Sequence, residues 1–308
     1  SDTWYPSWAS DGNMYSIFQD GQVADAEGKD IFVWGNDNPS PGMASTGVAK
    51  IVGDDPMDLQ VTGLNRVVTP VTPNQTYSGE YSGRYPTGCM VVDGVWYTGT
   101  YGCITPYPNS CNPILGPFAG WSYSLDYGVT WTTSPYTLDL GESAMFPEDQ
   151  PDFGGPLKLG MPDNVDYGQN MQYAPTNDQG QKLAYLLCHG SPEWDGVDRL
   201  ANLAQHNGDQ LFMMRVPLDP EHPALINDAS RYEFFAGYDA SGEAIWTYDY
   251  GQIQPMAEWD NKMGASHITY NPVLDKYFLY SMDGKTTMGV MDTYILESDN
   301  VTGPYKLV

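Results

Sequence analysis

Positive charge is scarce in this chain: 13 Lys and Arg stand against 39 Asp and Glu in 308 residues, a formal net charge of −26. A surface of that sign repels phosphate backbones and anionic bilayers, so nucleic-acid and membrane partners are excluded from the expectation. Arg66, Arg84, Arg199, Arg215 and Arg231 are the complete arginine inventory, and an anionic ligand would need one of them or a local lysine. Long apolar runs are missing too. No stretch approaches the roughly 20 residues that cross a bilayer, and no leader precedes Ser1, so the chain reads as soluble and already trimmed. Helical periodicity is nearly absent, with one or two turns over Asp198–His206 the best candidate. There is no His-x-x-x-His, paired Cys-x-x-Cys, phosphate-binding glycine loop or serine nucleophile elbow, which leaves zinc, nucleotide and esterase chemistry without support.

Cysteine is sparse, with four residues. Cys103 and Cys111 bracket a Pro-rich loop and form a candidate disulfide, while Cys89 and Cys188 fall in apolar strand contexts. Asn74-Gln-Thr and Asn300-Val-Thr fit the glycosylation acceptor pattern. Together these features favour a secreted, extracellular protein that works as a monomer.

What is abundant is Gly (33), Pro (24) and Tyr (23), with short apolar runs between them, the composition of an all-β body with long inter-strand loops. A strand, Asp-Gly turn, aromatic strand unit recurs around Asp11 and Asp93, more loosely around Gly180, and again around Asp275, at intervals of roughly 80–95 residues. A second pair of β-rich segments follows each turn, as in Thr46–Val52 with Asp58–Val61, or Gln210–Val216 with Tyr232–Gly237. Each unit thus supplies about four antiparallel strands, the logic of a β-propeller blade. Ser124-Leu-Asp126-Tyr-Gly128-Val-Thr130-Trp131 has the form of the Asp box of sialidase-like propellers, in which the Asp caps turn amides and the Trp packs between sheets. Four blades close poorly, so either part of the protein is missing from this chain or residues 135–169 and 240–262 form a further blade; five to seven blades are expected. The expectation is a single propeller domain over 1–308, lacking part of a closing blade at one or both ends.

Propeller ligands lie over the central channel, and the wealth of flat aromatic faces points to carbohydrate, an oligo- or polysaccharide. Trp4, Tyr5 and Trp8 cluster in the first blade, and Trp8, Asp11, Arg199 and His206 are candidate substrate-binding residues. The four histidines exhaust the groups suited to proton transfer near neutral pH; His189 and His267 are the catalytic candidates, and His222, between Glu221 and Pro223, reads as surface. A glycosidase would need a carboxylate pair, for which Asp11, Asp20, Asp37, Glu193 and Asp195 are available, although Asp11, Asp93 and Asp275 share turn positions and read as hairpin caps. Arg84, just ahead of a predicted inner strand, could pair with a uronate carboxylate. No cofactor is expected. A structural Ca²⁺ on Asp-rich loops such as Gly53-Asp-Asp or Asn36-Asp-Asn is compatible with the sequence.

Asp2-Thr-Trp-Tyr-Pro-Ser-Trp-Ala-Ser-Asp-Gly, Gly83-Arg-Tyr-Pro-Thr-Gly, Asp93-Gly-Val-Trp-Tyr-Thr-Gly-Thr-Tyr, Tyr232-Glu-Phe-Phe-Ala-Gly, Met263-Gly-Ala-Ser-His-Ile-Thr-Tyr-Asn and Tyr294-Ile-Leu-Glu-Ser-Asp-Asn-Val-Thr-Gly-Pro-Tyr span nearly the whole chain. On these segments the sequence resembles secreted propeller proteins of polysaccharide degraders, specifically the L-rhamnose-α-1,4-D-glucuronate lyases that trim arabinogalactan. The resemblance implies β-elimination: Arg84 neutralises the uronate carboxylate, His189 or His267 carries the C5 proton, and Tyr85 or Tyr270 is the partner acid. Val48 departs from the lyase pattern, which has a His in this Thr-Gly-x-Ala stretch. The alternatives are a propeller glycoside hydrolase and a carbohydrate-binding propeller without catalysis.

Overall fold

The computed structural model describes residues 2–33, 46–67, 83–104, 114–136, 144–149, 157–191, 206–283 and 291–308. Its regular structure is almost entirely antiparallel β-sheet arranged as blades. Blade 1 orders β1 (Asp2–Trp8), β2 (Met14–Gln19), β5 (Thr46–Val52) and β6 (Gln60–Val67), with the small hairpin of β3 (Gly21–Ala24) and β4 (Asp30–Val33) inserted between β2 and β5. Blade 2 is β7 (Gly83–Val92), β8 (Val95–Ile104) and β9 (Ile114–Ser124), and an isolated Tyr123–Thr132 bridge extends it outward. Blade 3 runs β10 (Leu157–Asn164), β11 (Leu183–Ser191), β12 (Gln210–Pro217), β13 (Glu233–Tyr238) and β14 (Ala244–Thr247), with β15 (Ala257–Glu258) added on β12. Blade 4 is β16 (Gly264–Asn271), β17 (Lys276–Asp283), β18 (Asp292–Ser298) and β19 (Lys306–Leu307).

The described residues therefore form four blades, and the expectation of five or more is not met. Residues assigned in advance to a further blade fall instead within blade 3: Leu157–Asn164 is its innermost strand, and Ala244–Thr247 and Ala257–Glu258 lie at its outer and edge positions. The physical reason is pairing. The unit around Gly180 lacks an apolar strand immediately before its turn, and β10 fills that place across an intervening loop that contains one 3₁₀ turn, Gln169–Met171. The predicted helical turn at 198–206 lies outside the described residues except for His206.

Sheets face each other through aromatic side chains. Between blades 1 and 2, Tyr15, Ile17, Val48 and Val67 meet Cys89, Val91 and Trp96, while Met90, Tyr97, Trp121, Leu186, Phe212 and Phe235 belong to one larger core that runs on to Leu279 and Leu296 of blade 4. Fully burying side chains such as Trp96 and Trp121, each of roughly 150–250 Å², removes apolar surface worth on the order of 4–6 kcal/mol gross apiece. The Asp box is built as its sequence implies. Asp126 accepts from the Thr130 amide (2.8 Å) and hydroxyl (2.6 Å), and Trp131 packs edge-on against Trp96 at the blade 1–blade 2 seam, with ring centres 5.3 Å apart. Cys89 and Cys188 are buried free thiols, and burial pushes that of Cys89 up to about 12. The Cys103–Cys111 pairing lies outside the described side chains. Among the described residues, no helix is long and apolar enough to cross a membrane.

Candidate functional site

The innermost strand of every blade carries the same defect at the same level. Pairing slips by a residue between Asp2 and Tyr5 in β1, between Thr87 and Cys89 in β7, between Gly160 and Asp163 in β10 and between Gly264 and His267 in β16. At each slip one residue has left-handed backbone: Thr3 (φ 56°), Gly88 (φ 57°), Met161 (φ 46°) and Ala265 (φ 36°). Three of the four are not glycine, so each spends about 1–2 kcal/mol on its conformation. A bulge turns the following side chains away from the regular pleat and is a common device beside functional sites. At Gly88 a Cβ would lie 2.8 Å from the Trp121 ring, which leaves glycine as the fitting residue there.

These bulges surround a cavity of 590 Å³, within the range of about 300–1,000 Å³ usual for small-ligand sites. All four inner strands line it: Thr3–Pro6 from blade 1, Cys89 from blade 2, Met161, Asp163 and Asn164 from blade 3, and Ala265–His267 with Thr269 from blade 4. Asp166 and His206 complete its polar wall. Neighbouring strands are stitched together behind it. The Thr87 hydroxyl donates to the Pro162 carbonyl (2.6 Å), the Cys89 amide donates to Asn164 Oδ1 (2.7 Å), and the Asp166 backbone bonds two residues of β16, its amide donating to Ile268 O and its carbonyl accepting from the Tyr270 amide, each 2.9 Å.

The most polar contact in the cavity wall is His267 Nδ1 on Asp163 Oδ2, at 2.8 Å. The Asp163 side chain is buried, whereas that of His267 keeps 38% of its surface exposed. Burial pushes the imidazole down, but the charge and hydrogen bond of Asp163, joined by the charge of Asp166, more than offset it, and the His267 pKa is raised. With Nδ1 donating to the carboxylate, Nε2 is the ring nitrogen left for a ligand. Asp166 accepts from the Gly168 amide at 2.8 Å through Oδ1. Tyr5 stands close enough to Asp163 that burial and then the carboxylate's charge both raise its phenol pKa.

The residues expected from sequence separate into distinct places. His267 and His206 line the cavity, and burial lowers the His206 pKa. His189 sits behind the cavity wall, 1% exposed, with Nε2 accepting from the Ser266 amide at 2.9 Å, and burial pushes its imidazole down to about 4. Tyr85 stacks on Tyr101 and Tyr270 donates to Asp275 at the β16–β17 turn (2.8 Å); neither is in the cavity wall. Trp8 is 48% exposed at the outer end of β1, and Asp11 caps its hairpin by accepting from the Asn13 amide and the Tyr15 hydroxyl. The Arg84 side chain and all of Arg199 lie outside the described residues, as does the Asn36-Asp-Asn loop. Among the described residues no group of three or more His, Cys, Asp or Glu could hold a metal ion.

Asp163, Asp166 and Asn164 were not singled out from sequence. Met161-Pro-Asp-Asn-Val-Asp166 holds two of 39 acidic residues and carries no motif. Tyr5 was grouped with its neighbours as an aromatic, without its place beside a carboxylate.

No family model matches the chain, and no curated protein matches it. Solved structures do resemble it. A GH43_12 protein retrieved from a capybara gut metagenome shares 14% identity at a TM-score of 0.46, covering 98% of this chain and 40% of that one. The native arabinanase of Bacillus subtilis shares 14% at 0.40, covering 97% and 73%, and an α-L-arabinanase mutant of Cellvibrio cellulosa 13% at 0.44, covering 97% and 71%. The chain thus spans well under half the length of the first. With TM-scores below 0.5 these likenesses carry no residue role or activity over to the chain, and none of the three is a rhamnose–glucuronate lyase.

Proposed function

We propose that the chain is a carbohydrate-active enzyme that hydrolyses a glycosidic bond in the axial cavity, and that its substrate there is a neutral sugar unit of an oligo- or polysaccharide. The observation that carries this reading is the His267–Asp163 contact at the wall of a cavity to which all four inner strands contribute. A histidine whose pKa is raised holds its proton more firmly than an ordinary imidazole and is fitted to donate it to a leaving oxygen. Asp163 holds the imidazolium through Nδ1, and His267 Nε2–H faces the glycosidic oxygen. Asp166 supplies the second carboxylate that hydrolysis requires, as base toward water or as nucleophile toward the anomeric carbon. Trp4 and Tyr5 offer apolar faces to the sugar ring.

Charge favours hydrolysis over the β-elimination implied by the family resemblance. Elimination acidifies the C5 proton by neutralising an adjacent carboxylate, which needs a fixed cation. Among the described residues of the cavity wall, Asp163 and Asp166 are joined by neither Lys nor Arg, and His267 is already engaged by Asp163, so a uronate would bring a third carboxylate to two already present; the Arg84 side chain lies outside the described residues. The test is incubation with gum arabic, larch arabinogalactan, linear arabinan and xylan, read for reducing ends and for near-ultraviolet absorbance. Hydrolysis yields reducing ends alone. Absorbance from an unsaturated uronate would replace it with elimination, and binding without either product would make the chain a carbohydrate-binding propeller.

A further inference from the structure

His189 has the burial of a core residue and the chemistry of a catalytic one, yet the function proposed above does not use it. Its position explains why it is there. It lies on β11, opposite Gly160 of β10 and Leu211 of β12, and reaches across the seam between blades 3 and 4 to the β16 backbone. Its Nε2 takes the Ser266 amide, which forces the neutral tautomer with the proton on Nδ1, because a backbone amide only donates. Ser266 is the residue between the left-handed Ala265 and His267, inside the β16 bulge. Its hydroxyl lies 3.0 Å from that of Ser281, which in turn bonds the Lys262 carbonyl. On the other side, Gly264 is pressed against the His206 carbonyl, 2.1 Å from where a Cβ would stand.

We propose that His189 is a positioning residue: by accepting the Ser266 amide it fixes the β16 bulge and thereby aims His267 into the cavity against Asp163. Side-chain direction in a strand alternates with each residue, so a bulge that relaxes by one residue sends His267 to the opposite face. A buried amide left without an acceptor supplies the drive for that relaxation. An imidazole suits the post because burial keeps it uncharged, and its ring extends the acceptor further than a short side chain does. His267 is faced by Asp163, Asp166 and His206 around the cavity, and Tyr5 stands beyond Asp163. None of these contacts the Ser266 amide.

The test compares His189→Gln, whose amide oxygen reaches about as far as Nε2, with His189→Asn, whose oxygen falls short. Proton NMR titration of the three remaining histidines is followed in each, with His267 assigned by its loss in His267→Gln. The Gln variant keeps His267 titrating above the ordinary value of about 6.5, and the Asn variant lets it fall toward that value. On a polysaccharide that the wild type cleaves, the Asn variant lowers kcat by about 10–100-fold with KM within about twofold, and the Gln variant restores most of it. Identical His267 titrations in folded Asn and Gln variants would overturn the proposal. So would a wild-type His189 found by nitrogen NMR to carry its proton on Nε2, a measurement that needs no variant. Only the kinetic arm rests on the hydrolase reading: a protein that cleaves nothing loses that reading, while the titration still decides the role of His189.

Discussion

Aspartate serves two regions of this molecule in opposite ways. On the rim, Asp11, Asp93, Asp126 and Asp275 sit at turns, where Asp126 is satisfied within its own turn by Ser124 two residues before it and Thr130 four residues after it. Along the axis, Asp163 is buried and finds its partner in His267, 104 positions away. A rim aspartate closes a hairpin in water, and its worth is structural. An axial aspartate holds a charge inside a cavity bounded by strained strands, and its worth is chemical. Spare capacity for chemistry therefore lies where partners are distant in sequence, and the first way to break this contrast is to swap the demands.

Asp163→Asn should have the largest effect. Without its anion the His267 pKa falls, the proton donor is lost, and turnover drops by about 10²–10⁴-fold at pH 7, while near-ultraviolet circular dichroism keeps its native form. Asp126→Ala on the rim should leave turnover within about twofold. A cavity variant with full activity, or a rim variant without any, would collapse the distinction.

The next effect is on stability against pH. His189 titrates at about 4 in the fold and near 6.5 in the unfolded chain, so the unfolded state binds more protons between these values. Its contribution is present above pH 6.5 and is lost as pH falls to 4, amounting to roughly 3 kcal/mol. Asp149, which burial pushes up to about 6 from 3.8, acts in the opposite direction, because its folded form holds the proton longer. Chemical denaturation from pH 4 to 7 should therefore show wild type losing more stability on acidification than His189→Gln, in which the share of Asp149 is unchanged. His267 has the same sense as Asp149. Its raised value gives stability below pH 6.5 that is lost as pH rises through the folded value, and His267→Gln should flatten that limb. Parallel curves for all three proteins would mean that neither histidine differs between folded and unfolded chains.

The same difference in range explains what could be read from the sequence. The Asp box was legible in full, down to the Trp131 contact, because its hydrogen bonds close within a few residues. The strand pairs after the turns of the first, third and fourth units were legible for the same reason, since hairpins join neighbours in sequence, whereas in the second unit residues 129–131 form no strand. The inner strand of blade 3 was not. Leu157-Lys-Leu-Gly-Met-Pro-Asp-Asn contains a proline and two polar residues at its end, which weakens any strand pattern, and its bulge breaks the alternation. His267 was found because histidine is rare, and Asp163 was missed because aspartate is common. His189 drew notice for its rarity too, but only its side-chain contact with the Ser266 amide of β16, across the seam between two blades, distinguishes a strut from a proton carrier. A sequence pattern records what a residue is; the convergence of four bulged strands decides what it faces.

Rim turns themselves can be ranked. Asp126 accepts three bonds inside the Asp box, and Asp126→Ala should cost about 1–2 kcal/mol by denaturant titration. Asp93 is the exception among them, since it joins two blades: Lys182 Nζ donates to its carboxylate at 2.9 Å, and the Asn170 side chain brackets it, Nδ2 donating to the carboxylate and Oδ1 accepting from the Asp93 amide. Both partners belong to blade 3, so this turn is tied outward in the manner of the axis rather than closed on itself. The ion pair is partly exposed, with side-chain exposures of 22% and 41%, and its own share should be small. Lys182→Met should lower stability by about 0.5–1 kcal/mol in low salt and by less at 1 M salt, where exposed charges are screened. A loss as large as that of Asp126→Ala, unmoved by salt, would show that the Asp93 turn depends on its inter-blade contact for folding, and the rim would then hold a residue of axial character.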